Sequence, residues 1–202
     1  MSVRVKICGI TRVEDADAAC ALGADFIGIN FYDRSPRRVS ADQARRIKDA
    51  VAGRAQTVGV FVNATREFIE TVLGEVGIDL IQFHGDEDHQ AMAGWPVPVI
   101  RALRLGGNTG TPALNSVGAD YVLLDSFDAA LFGGTGRALK LEMLKGLDLR
   151  RVFIAGGLNA ENVAAAAALK PFAVDVASGV ESSVGVKDHL MLRSFVTRAK
   201  SA

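Results

Sequence analysis

Three features of the sequence predict a single-domain α/β fold, a (β/α)8 barrel of the TIM type spanning residues 1–202. Short apolar runs recur eight times, and segments with helical apolar spacing separate most of them. The chain has 202 residues, enough for eight such units around one core. No linker or low-complexity tract interrupts the pattern. The main competitor, a doubly wound open sheet, would usually carry a G-x-G-x-x-G turn after its first strand, and Cys8-Gly9-Ile10-Thr11 is not one.

The first run, Val3–Cys8, alternates, with Val5 and Ile7 on one face and Arg4, Lys6 and Cys8 on the other. With Val5 and Ile7 turned towards helices, Lys6 and Cys8 point into the barrel, where an ammonium needs a partner. Gly9 ends the run, and Thr11-Arg12-Val13-Glu14 reads as a capping box opening a helix over Glu14–Leu22. The next runs are Asp25–Phe31, Thr57–Val62, Asp79–His84, Val97–Leu103, Asp120–Asp125, Arg151–Ala155 and Phe172–Ala177. Helical segments follow at Ala41–Val51, Glu67–Val76, Glu87–Ala93, Leu139–Leu147, Glu161–Leu169 and Asp188–Lys200. Ser40, Thr65 and Asn159 stand where N-caps belong. Leu105–Val117 is Gly-rich and has room only for a short helix.

Within the runs, one phase is apolar and the other collects polar groups. Ile27, Ile29 and Phe31 oppose Gly28 and Asn30; Ile81 and Phe83 oppose Gln82 and His84; Ile100 and Ala102 oppose Arg101. Val122 and Leu124 oppose Asp125, and Val174 and Val176 oppose Asp175. The polar members sit near the carboxyl ends of their runs, so a barrel gathers them at one mouth, where this fold keeps its chemistry.

Composition narrows the function. With 23 basic and 23 acidic residues, nothing draws the chain to nucleic acid or an anionic membrane. It has no run of about 18 apolar residues and no leader-like start, which makes a cytoplasmic protein the expectation. Cys8 and Cys20 form neither a disulfide framework nor a metal-ligand pair, and Cys20 reads as helix packing. The cluster His84-Gly85-Asp86-Glu87-Asp88-His89 matches no zinc or calcium spacing, so no metal is expected. A bound anion must be held locally. Gly156-Gly157-Leu158-Asn159 and Ser178-Gly179-Val180-Glu181, after the seventh and eighth runs, let backbone amides approach a phosphate. Gly133-Gly134-Thr135-Gly136, after the sixth, reads as a lid.

In order along the chain, Lys6–Thr11, Ser35-Pro36-Arg37, Gln82–Gly85, Leu123–Asp125, Gly133–Gly136, Gly156–Leu158 and Val174–Glu181 resemble the motifs of the phosphoribosylanthranilate isomerase family. One departure stands out, Leu139-Lys140-Leu141 in place of the family's Phe-Asp-Trp. The resemblance implies a cofactor-independent Amadori rearrangement of a small phosphosugar in tryptophan biosynthesis. Cys8 is its implied general base, Asp125 its general acid and Arg37 the partner of the anthranilate carboxylate. Gln82, Asp175, Gly156, Gly157, Ser178 and Gly179 are the further substrate contacts it suggests. Lys6 and Asp175 fit an internal ion bridge, and Asp175 equally fits a sugar hydroxyl. The chemistry requires a thiol lowered from about 8.5 towards neutrality, with Lys6 the nearby cation able to do it. It also requires an aspartic acid that keeps its proton, for which Leu123, Leu124 and Phe127 supply an apolar flank. A monomer and a homodimer both fit. Two other readings remain, another phosphosugar isomerase and a non-catalytic phosphate-binding barrel. The first usually pairs two aspartates where this chain has Cys8 and Arg101–Leu103, and the second has no use for an acid–base pair.

Overall fold

A computed structural model describes residues 2–104, 117–125, 141–144 and 146–202. Eight parallel strands close in sequence order: β1 (Arg4–Ile7), β2 (Phe26–Asn30), β3 (Gln56–Phe61), β4 (Leu80–Phe83), β5 (Val99–Arg104), β6 (Tyr121–Asp125), β7 (Val152–Ala155) and β8 (Ala173–Val176). β8 pairs back onto β1, matching Lys6 with Asp175 and Ile7 with Val176. The helices outside are α1 (Val13–Ala21), α2 (Ala41–Val51), α3 (Arg66–Val76), α4 (Val163–Ala167) and α5 (His189–Lys200). No helix among the described residues is long and apolar enough to cross a membrane.

The barrel is the one the sequence predicts, with local departures. Only a 3-10 turn, Gln90–Met92, stands where Glu87–Ala93 was expected to be helical. Glu87 is drawn away by Arg101 Nη1 at 2.6 Å and by the amides of Asn63 and Gly85, so it cannot open a helix. A second 3-10 turn, Leu141–Leu144, occupies part of the expected Leu139–Leu147 helix. Residues 105–116, Phe127, the Gly133–Gly136 loop, Leu139 and Lys140 lie outside the described residues.

Ser40 and Thr65 cap α2 and α3 through the amides of Gln43 and Phe68. Asn159 does not cap α4, whose N-cap is Asn162; its side chain accepts from the amides of Glu161 and Asn162 in the turn before the helix. Thr11 departs from the capping box. Its hydroxyl donates to the carbonyl of Gly185 at 2.5 Å, and the N-cap of α1 is Arg12, which makes no side-chain capping bond. Gly185 lies in an unanticipated hairpin of β9 (Glu181–Ser183) and β10 (Val186–Lys187), after which Asp188 caps α5.

The core has two layers. Val5, Ile7, Ile27, Ile29, Ile81, Phe83, Leu124 and Val174 pack outwards against helix residues such as Ala16, Ile47, Ile69 and Phe195. Phe26, Val58, Leu80, Ile100, Leu123, Phe153 and Ala173 fill the barrel. This sorting follows the expected phases in β1, β2, β4, β6 and β8 but not in β5. There Ile100 aligns with the inward Gln82, so Ile100 and Ala102 face in and Arg101 faces out to Glu87. At the amino-terminal end Phe26, Tyr121, Phe153 and Phe172 form an aromatic plug. Its ring centroids lie 5.2 Å apart for Phe26–Phe153 and 4.4 Å for Tyr121–Phe172, and the Arg4 guanidinium sits 4.3 Å over Phe172.

Candidate active site

Cys8 follows β1 at the carboxyl mouth, its amide donating to Val176 O at 2.8 Å and so held to β8. The thiol needs space that only glycine allows on β2, since a Cβ on Gly28 would lie 2.8 Å from Cys8 Sγ. Lys6, two residues earlier, is fully buried and donates to Asp175 Oδ1 at 2.8 Å. Burial opposes its charge, but Asp175 and Cys8 outweigh that and raise its pKa. The ion bridge is therefore present.

Lys6 does not deliver the expected lowering of the thiol. Burial pushes Cys8 up, Lys6 and Lys187 counter only in part, and the Asp175 carboxylate works against them. Burial is the largest of these effects, and the Asp175 carboxylate offsets part of what Lys6 contributes. The net direction is upward, which favours the protonated thiol at Cys8.

Asp125 ends β6 at the same mouth, and its apolar flank is half visible. Leu123 packs inside the barrel and Leu124 outside, while Phe127 lies outside the described residues. Asp125 Oδ2 lies 3.5 Å from His84 Nε2, and the other ring nitrogen meets Gln82 Nε2 at 2.9 Å. With the Gln82 amide donating to Nδ1, His84 carries its proton on Nε2, facing Asp125. Gln82 is 1% exposed, and its Oε1 has no hydrogen-bond partner among the described residues. Gln82 and His84 thus back the carboxyl group, beyond the lining role the sequence suggested.

Arg37 reaches the mouth from the loop after β2. Gly9, at φ +69°, lets its stem pass, since a Cβ there would lie 2.5 Å from Arg37 Cδ. Arg37 Nε and Nη2 grip Glu181 Oε1 and Oε2 at 2.8 and 2.6 Å. One edge of the fork is thus engaged within the chain. Its neighbour Arg38 turns to Asp33 at the surface.

The loops after β7 and β8 touch. Gly156 and Gly157 take φ of +88° and +64°, and a Cβ on Gly179 would lie 2.0 Å from Leu158 O. Ser178–Val180 forms a short 3-10 turn there. The pair makes a glycine-lined shelf on which backbone amides can face an anion.

Sequence reasoning missed the group behind Cys8. Lys187, 3% exposed, donates to Cys8 O at 2.7 Å, Ala177 O at 3.0 Å and Glu181 Oε1 at 2.8 Å. Asp15 accepts from Lys187 N, from Arg12 and from His189. The signal in the sequence was thin, a glycine turn between Glu181 and Lys187 after the last run.

Comparison with known proteins follows this geometry. The family model described as N-(5'phosphoribosyl)anthranilate (PRA) isomerase matches residues 5–198. An N-(5'-phosphoribosyl)anthranilate isomerase of Pseudomonas fluorescens is 46% identical, covering 98% of this chain and 99% of its own. The crystal structure of phosphoribosyl anthranilate isomerase from Thermus thermophilus is 37% identical with a TM-score of 0.85, covering 98% and 99% of the two chains. A phosphoribosyl anthranilate isomerase in complex with reduced 1-(o-carboxyphenylamino)-1-deoxyribulose 5-phosphate is also 37% identical, with a TM-score of 0.82 over 99% of this chain and 100% of that one.

Proposed function

The chain belongs to the N-(5'-phosphoribosyl)anthranilate isomerase family, and from that premise we propose that Cys8 and Asp125 perform the proton transfers of its reaction. The enzyme is an isomerase of tryptophan biosynthesis that converts an aminoaldose into an aminoketose. Asp125 protonates the furanose ring oxygen; the C1–O bond breaks, and the anilino nitrogen pair forms the C1=N bond of a Schiff base. Cys8, as thiolate, removes the proton from C2, and those electrons make C1=C2 while the C1=N pair returns to nitrogen. The resulting enol-amine tautomerises, C1 gaining a proton as the C2 hydroxyl becomes the ketone.

The observation that carries this reading is a thiol and a carboxyl group at the ends of β1 and β6, facing one mouth. Around them, Gly156, Gly157, Ser178 and Gly179 suit the phosphate, Arg37 the anthranilate carboxylate, and Gln82 the edge of the substrate through its buried oxygen. Asp175 takes a sugar hydroxyl. That contact draws its carboxylate away from Lys6, whose charge then serves the Cys8 thiolate, so that the substrate itself supplies the lowering absent from the free enzyme. No cofactor enters any step. A cytoplasmic site of action suits a biosynthetic enzyme of this kind.

The test follows the fall of anthranilate-type fluorescence on adding freshly generated phosphoribosylanthranilate to the purified chain. Turnover that collapses in both Cys8→Ser and Asp125→Asn supports the pair. Retained turnover in either variant removes that residue from the mechanism.

A further inference from the structure

We propose that Glu181, held by Lys187, is a positioning residue that presets Arg37 to read the substrate's aromatic carboxylate by one edge only. The inference rests on the assignment of Arg37 to that carboxylate. The Glu181 side chain is 4% exposed; both of its oxygens accept from Arg37, and Oε1 also accepts from Lys187. The bidentate grip covers Nε and one Nη2 proton. Nη1 and the outer Nη2 proton are left as the fork edge directed away from Glu181.

Charge supports the same role. Two cations, Arg37 and Lys187, share one carboxylate, so the group carries a net positive charge beside the mouth, suited to an anionic ring substituent. Burial disfavours the Glu181 charge, yet Arg37 and Lys187 hold its pKa below the ordinary glutamate value, so it remains a carboxylate at neutral pH. Lys187 ties this arrangement to the base, because the ammonium that donates to Glu181 also donates to the carbonyl of Cys8. The hairpin is fastened in turn by Thr11 on Gly185 and by Asp15 on Lys187 N. One loop after β8 therefore sets both the residue that reads the substrate and the strand end that bears the thiol.

The experiment compares Glu181→Gln in the parent and in an Arg37→Ala background, using phosphoribosylanthranilate and its aniline counterpart, which lacks the carboxylate. Glu181→Gln is expected to raise KM for the anthranilate substrate about tenfold with little change in kcat, and to leave KM for the aniline substrate unchanged. In the Arg37→Ala background it should add nothing further. A KM increase that is equal for both substrates, or that adds fully to Arg37→Ala, would reduce Glu181 to a packing role and overturn the proposal. If Arg37→Ala itself leaves KM unchanged, the carboxylate assignment falls and the positioning role falls with it. Should the unpaired Lys187 prevent folding, Glu181→Gln/Lys187→Gln neutralises both groups, and the same KM comparison decides.

Discussion

The two ends of this barrel are built from opposite materials. At the amino-terminal end four aromatic rings pack edge-on and tilted into a plug, with the Arg4 guanidinium over Phe172. At the carboxyl end the inward-facing positions carry Lys6, Cys8, Gln82, Asp125 and Asp175; Lys6 pairs with Asp175, Gln82 meets His84, and Lys187, which shares Glu181 with Arg37, donates to the Cys8 carbonyl. Within one inward position β4, β6 and β8 turn from one material to the other, from Leu80 to Gln82, Leu123 to Asp125 and Ala173 to Asp175, while Val58, Ile100 and Phe153 keep β3, β5 and β7 apolar inside. The plug supplies stability without directional demand. The mouth gives up apolar burial to hold groups at fixed angles, and Lys6–Asp175 marks the layer where the two regimes meet.

That contrast is open to direct attack. Cys8→Ser and Asp125→Asn should each lower kcat by about 10² to 10⁴ while leaving the melting temperature close to that of the parent. A large thermal shift in either would show that the mouth also bears the fold. Phe153→Ala should do the reverse, removing about 3–5 kcal/mol in urea unfolding with kcat per folded molecule unchanged. Lys6→Met strikes the boundary and should affect both. An unpaired buried Asp175 carboxylate is expected to destabilise the fold by about 3–5 kcal/mol, and Lys6→Met/Asp175→Asn should restore much of that without restoring turnover.

Smaller effects sharpen the comparison. Because burial raises the Cys8 pKa, its thiolate fraction in the free enzyme grows only above the ordinary cysteine value of about 8.5. The kcat/KM profile should therefore rise on the alkaline side of that value, and the limb of kcat should lie lower if bound substrate frees Lys6. A kcat/KM limb near neutrality would mean that the thiol is already activated without substrate. Smallest of all, Arg38→Ala should change stability by less than about 0.5 kcal/mol and leave KM alone, since its partner Asp33 is a surface group.

How much of this was legible depended on whether a residue's neighbours are local in sequence. Alternation in β1, β2, β4, β6 and β8 was enough to sort inside from outside, because one face had to meet helices. It failed in β5, where the apolar phase of Ile100 and Ala102 fills the barrel while Arg101 turns out to Glu87, and only the register with Gln82 decides. The caps at Ser40 and Thr65 were readable because they act three residues ahead. Thr11 looked the same, yet its hydroxyl found a carbonyl in a distant hairpin. Glu181 appeared in the sequence as the end of a glycine-bearing motif, and its work with Arg37 and Lys187 depends on a close approach that no local pattern encodes. The failure to foresee the raised thiol has the same origin, since the burial that raises it, and the Asp175 that offsets part of Lys6, come from chain segments far away in sequence.

The bonds around Cys8 have a temporal meaning. Lys6 meets Asp175 across 169 residues, and the Cys8 carbonyl meets Lys187 across 179. A ribosome therefore delivers the nucleus of the site first and its electrostatic surroundings almost last. Until β8 docks on β1 the Cys8 amide lacks its bond to Val176 O, and Lys6 lacks Asp175. Ring closure across such a span is slow compared with forming any single β–α unit. Recovery of turnover during refolding would thus time the joining of the first and last strands, and the enzyme's own product would serve as the clock.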